Sequence, residues 1–111
     1  MAVGDRTEQR LGGPTQLSTT TTTIANVATS RVEVLKQIII TNTDTVDRTF
    51  SLAIGNAAVA ANRIVSQLPI GANDIIVLDT ALVLTATETL QGLADANSVV
   101  NVTVVGWEKE V

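Results

Sequence analysis

From about residue 15 onward the chain repeats one theme, a run of four to nine residues rich in Val, Ile, Thr and Leu closed by Asn, Asp, Gly, Ala or Ser. β-Branched side chains are stiff at χ1 and fit a pleated surface better than a helix, while the closing residues accept left-handed backbone or bond neighbouring amides. The theme predicts short strands joined by turns. "RTFSLAI" puts Phe50, Leu52 and Ile54 on one face and Thr49, Ser51 and Ala53 on the other, and "VVNVTVV" sets Val100, Val102 and Val104 against Asn101 and Thr103. "RVEVLKQIIITN" alternates less cleanly: Val32, Val34, Ile38 and Ile40 share a face with Lys36, whereas Leu35 and Ile39 point away. Either a bulge near Lys36 shifts the phase or both faces are covered. "DIIVLD" and "ALVL" are apolar on both faces, as strands packed between two layers are.

The joints are "NTDTVD" at 42–47, "GNAAVAAN" at 55–62, "PIGAND" at 69–74 and "DANS" at 95–98, and counting between them gives seven or eight strands. Pro69 resists a central ladder position. "NAAVAAN" is the one helix candidate, a turn or two long. The five threonines in "LSTTTTTIANV" read as a first strand with Thr20, Thr22 and Ile24 on one side; a mucin-like stalk would carry interspersed prolines. Residues 1–14, which include Gly4, Gly12, Gly13 and Pro14, read as an extended N-terminal arm that becomes ordered against a neighbour. Residues 15–111 then form a single all-β domain, since 111 residues leave no room for a second core.

The chain has neither cysteine nor histidine, which removes disulfides, thiolate metal sites, the commonest zinc ligand and the commonest general base. No enzyme activity and no cofactor are expected. Seven basic residues scattered singly in a chain of net charge -4 give no footprint for nucleic acid. The uncharged stretches are too short or too polar to span a bilayer, and "MAVGDRTEQR" has no apolar run behind its charges, so synthesis in the cytosol is expected. With 45% hydrophobic and only 16% charged residues, the surface must be neutral and polar or partly hidden against another chain.

Asp44, Asp47, Asn73, Asp74 and Asp79 lie in or beside loops but lack the ligand spacing of a calcium loop, so they read as turn formers and caps, and no metal is expected. Glu33, Glu88, Glu108 and Glu110 read as solvated strand positions. The "NVT" at Asn101–Thr103 falls inside a strand pattern and is not counted as a glycosylation site. A sugar platform would need paired rings, and only Phe50 and Trp107 are aromatic.

The segments "AANRIV" (60–65), "LPIGAND" (68–74), "VLDTALVL" (77–84) and "VNVTVVGWE" (100–108), together with the Thr-rich start and the Asn42-Thr43 turn, resemble a group of small bacteriophage structural proteins. The resemblance covers most of the chain beyond residue 15. It implies an antiparallel β-sandwich of jelly-roll type, present in many copies on the virion as a head decoration (cement) protein. The alternative is a tail, collar or baseplate component that binds host glycans or a receptor. Many members have "AGD" where this chain has "ATE" at Ala86–Glu88. The implied partners are copies of the chain itself, a trimer first among them, and the major capsid or tail proteins of the same virion. Leu35, Ile39, Val65 and Val105, facing away from the main apolar set of their strands, and Trp107, at the end of the last, are the interface candidates; the first four read equally as the second buried face of an ordinary sandwich.

Overall fold

A computed structural model describes residues 6–55 and 62–110. Eight strands follow in order: β1 (Arg6–Gln16), β2 (Thr22–Asn26), β3 (Arg31–Asn42), β4 (Arg48–Gly55), β5 (Arg63–Ile70), β6 (Ile75–Leu84), β7 (Thr89–Ala94) and β8 (Val100–Glu110). They form two four-stranded sheets, ordered β1-β8-β3-β6 and β2-β7-β4-β5, and every pairing is antiparallel. Among sequence neighbours only β4 and β5 pair; the chain otherwise crosses between sheets, winding two Greek keys into a jelly roll. The fold class is that expected, an all-β sandwich.

The core lies between the sheets. Val100, Val102 and Val104 are fully buried there, as their alternation requires, and Phe50 and Leu52 face them from the second sheet. The other face of β4 is covered too: Ser51 and Ala53 are buried, and Ser51 Oγ accepts the Gln67 amide at 2.9 Å, where β5 bulges and Gln67 takes φ 49°.

In β3 the bulge alternative holds. Its register on β8 steps from Leu35 opposite Gly106 to Gln37 opposite Val105, leaving Lys36 and Gln37 both exposed. The phase shift carries Glu33 and Leu35 onto the buried side with Ile38, Ile40 and Asn42, and turns Val32 and Val34 outward. Two neighbours accommodate it. The Thr80 hydroxyl donates to the Leu35 carbonyl, and Gly106 supplies the space, since a Cβ there would collide with the Val34 carbonyl.

The threonine run is only partly a strand. β1 ends at Gln16, Leu17 is buried, and β2 begins at Thr22. Ser18–Thr21 make the crossing between sheets, where no ladder can satisfy the backbone. Side chains take that role: Ser18 Oγ accepts the Thr20 amide at 3.2 Å and Asn97 Oδ1 accepts the Thr19 amide at 3.0 Å. From Arg6 on, the stretch read as an arm is an edge strand of the first sheet, paired with β8 from Arg6 opposite Lys109 to Gln16 opposite Asn101. The helix candidate lies outside the described residues but for Asn62.

Three joints meet at one end around Asn42, which is fully buried. Its Nδ2 reaches the carbonyls of Val46, Ile70 and Gly71 at 3.0, 3.2 and 3.1 Å, and its Oδ1 accepts the Asp44 amide at 2.9 Å. One side chain thus ties the β3–β4 loop to the β5–β6 turn. Asn42→Ala removes a donor from the buried Ile70 carbonyl and unties the two loops, and chemical denaturation is expected to record a loss on the order of 2–4 kcal/mol.

At the β6–β7 turn Thr87 adopts φ 69°, a conformation that suits glycine and that a β-branched residue rarely takes. This is the middle position of "ATE", where the resembling proteins have glycine. Glu88 Oε1 anchors the turn by accepting the Thr85 amide and hydroxyl, both at 2.8 Å, which holds its carboxyl below the usual range. Thr87→Gly is expected to raise stability by about 1 kcal/mol in the same assay.

Candidate docking surface

Alternation along each strand divides the first sheet into a core side and an outer side. Reading across β6, β3 and β8, register places four outer rows: Val83, Val34 and Trp107; Asp79, Gln37 and Val105; Val77, Ile39 and Thr103; Ile75, Thr41 and Asn101. Three quarters of the residues in these rows are uncharged and branched or aromatic, and the β6 column is the most open to solvent. Ile75 is 55% exposed, Val77 49% and Val83 55%, far from the core average for such side chains.

Three of the five interface candidates lie together here. Ile39, Val105 and Trp107 are half-buried on this face, in adjacent rows of β3 and β8. The other two do not. Leu35 is fully buried in the chain's own core because the β3 bulge turns it inward. Val65, opposite Leu52, packs against that same core, as the bulge of β5 resets its phase as well. Leu35 is closed to solvent, whereas Val65 remains partly exposed. Ile75, Val77 and Val83 were missed, because "DIIVLD" and "ALVL" read as strands covered on both faces; they are in fact one continuous strand at a sheet edge. The signal in the sequence is Asp79, a charge that shares its strand face with Ile75, Val77 and Val83.

Beside the bulge the face is hollowed into an open depression of about 640 Å³, lined by Gln9, Lys36, Gln37, Asp79, Thr80, Val105 and Gly106. Gln37 Nε2 donates to Asp79 Oδ1 at 3.0 Å across its floor. The hollow lies beside Gly106, which has no side chain, and the outward kink at Lys36, and the row across it holds Asp79 and Gln37.

At the far end of the first sheet, Glu33 and Glu108 sit opposite each other on the inward side of β3 and β8. Glu33 is 5% exposed and its Oε1 has no hydrogen-bond partner among the described residues. Glu108 is held by Arg31 at 2.8 Å, and the β6 neighbour of Glu33 is the apolar Leu84. Burial, then the nearby Glu108 charge, push the Glu33 carboxyl up from its ordinary 4.5 to about 7. The solvated position expected for Glu33 is thereby corrected.

The loop acids are engaged in turns. Asp44 Oδ2 pairs with Arg48 at 2.7 Å and its Oδ1 accepts the Thr45 amide, which lowers its carboxyl, and Asp47 and Asp74 accept the amides of Ala72 and Ile75. No cluster of three metal-ligating side chains occurs among the described residues. Nor is any helix among them long and apolar enough to cross a membrane.

No protein-family model and no curated protein matches the sequence. Solved structures do match the fold. A chain from the structure of infectious bursal disease virus Gx strain aligns with a TM-score of 0.51 at 8% identity, over 96% of this chain and 30% of that one. The cyanophage Pam1 capsid asymmetric unit gives 0.45 at 15% identity, covering 100% and 89%. The tobacco streak virus coat protein dimer gives 0.47 at 12%, covering 96% and 86%. The chain spans less than a third of the length of the bursal disease virus chains it matches, at 29%, 30% and 28%. At such identities the likeness is one of fold.

The Glu33 site sets a pH dependence. Between its ordinary value and about 7 the folded chain holds a proton that the unfolded chain has released, so stability falls as pH rises through that window and levels off above it. Glu33→Gln is expected to match the parent near pH 4.5 and to exceed it at pH 8, by on the order of 1–3 kcal/mol. Denaturation midpoints of both chains across that range check the difference.

Proposed function

We propose that this chain is a non-enzymatic structural component of a virus particle, a capsid decoration protein that binds copies of itself and neighbouring shell subunits. The observation that carries the reading is the outer face of the first sheet. Its apolar rows, with Ile75, Val77 and Val83 about half exposed, are what a surface covered in an assembly requires and what a solvated face avoids. The jelly roll, a fold used by virus coats among other proteins, is compatible with this role, and so is the phage-protein resemblance of the sequence motifs.

The mechanism is mechanical. A rigid sandwich presents a largely apolar face, and affinity accumulates through area and copy number. Rigidity comes from the interlocked turns around Asn42, so little ordering entropy is lost when the face is covered.

Immunogold labelling of purified particles from the source of the sequence tests the proposal. Label distributed over the head is expected; label confined to a tail moves the docking partner to the tail, and particles without label overturn the reading. Ile75→Lys, a substitution at an exposed position, is expected to shift the folding midpoint by less than about 0.5 kcal/mol while lowering the amount of chain that co-sediments with particles.

A further inference from the structure

The two sheets have four edge strands, and three are guarded against further pairing. β1 has Pro14, register shifts on either side of Gly12, and the charged Arg6, Glu8 and Arg10 in its sequence. β2 is five residues long and irregular between Thr23 and Ala25. β5 has Pro69 and a bulge at Gln67. These are the devices by which native sheets end. β6 has ten residues without proline, glycine or lysine, with exposure alternating unbroken from Ile75 to Val83; its one register shift, where Thr80 and Ala81 face Lys36, lies on the ladder with β3 and not on the free edge. Its one charge, Asp79, is bonded to Gln37 on β3, over the sheet and away from the free edge.

The sequence of this strand is also nearly symmetric. About Thr80 it reads Val77-Leu78-Asp79 on one side and Ala81-Leu82-Val83 on the other. An antiparallel partner of the same sequence, related by a twofold axis at Thr80, sets Val77 against Val83 of the second copy, Leu78 against Leu82, and Asp79 against Ala81. Branched residues meet branched residues, and no like charges oppose. Moving the axis one residue, to Asp79, sets two carboxylates face to face and reverses that benefit.

We propose that β6 pairs antiparallel with β6 of a second copy of this chain, in the register centred on Thr80. The two first sheets then join into one of eight strands, and their apolar outer faces become continuous. The contact is isologous and closes at two copies, in contrast to the head-to-tail contact a trimer needs. The proposal deepens the assembly role above and rests on that reading, since pairing doubles the width of the face the shell would cover.

Sedimentation equilibrium from micromolar to millimolar concentration is expected to give a reversible dimer. Val77→Lys combined with Val83→Lys, both at solvent-facing positions, is expected to weaken it about tenfold or more while the chain stays folded. Because the chain has no cysteine, Val77→Cys with Val83→Cys makes a clean trap, in which oxidation is expected to yield a covalent dimer, and Ile75→Cys with Val83→Cys is the register control. A monomer at every concentration, preferential trapping by the control pair, or a dimer indifferent to the paired lysines overturns the proposal. Particle labelling is read separately: trapping in the 77/83 register with unlabelled particles keeps the pairing and removes the virion role, and labelled particles with a monomeric chain do the reverse.

Discussion

The half-step in β3 governs the rest of the structure. Without the extra residue at Lys36 the strand could not place Leu35 on the same side as Ile38 and Ile40, and one of the two sets would face water. Burying a leucine or isoleucine side chain contributes roughly 1.5–3 kcal/mol, whereas a disturbed ladder bond costs about 1 kcal/mol, so the bulge is favoured. It is also accommodated on both flanks, by the Thr80 hydroxyl from β6 and by the missing side chain of Gly106 in β8. The same shift brings Glu33 inside beside Glu108. Packing gain and a frustrated carboxylate have one cause.

What could be read from the residues was whatever local geometry decides. The alternation of Val100, Val102 and Val104, the turn chemistry at 42–47 and 69–74, and the edge position of Pro69 all follow from neighbours a few residues apart. What escaped depends on distant partners. Whether Val77 and Val83 are covered depends on nothing lying beyond β6, which no local pattern contains. Leu35 and Val65 were assigned outward because a phase shift reverses a face while leaving composition untouched, and the threonine run hides a sheet crossing within residues that favour strands. The outer face of the first sheet was thus legible in three of its residues, Ile39, Val105 and Trp107, and lost in the β6 column that is most exposed.

The molecule also separates two kinds of polar work. Its loop acids are used inward, on amides and on Arg48, and Asn42 locks two loops from within, so the loop end is a fastening. The outer face of the first sheet has few such ties and much apolar surface. In many proteins loops bind and sheets support; here the sheet is the feature that invites a partner.

Pairing of β1 with β8 joins the earliest described segment to the last. During translation, residues 6–16 leave the ribosome long before residues 100–110 exist, so the first strand must wait with its hydrogen-bonding groups in water or in provisional contacts. The sandwich therefore closes only once residues 100–110 have been made, and nascent chains stalled short of residue 100 hold an unfilled slot between β1 and β3.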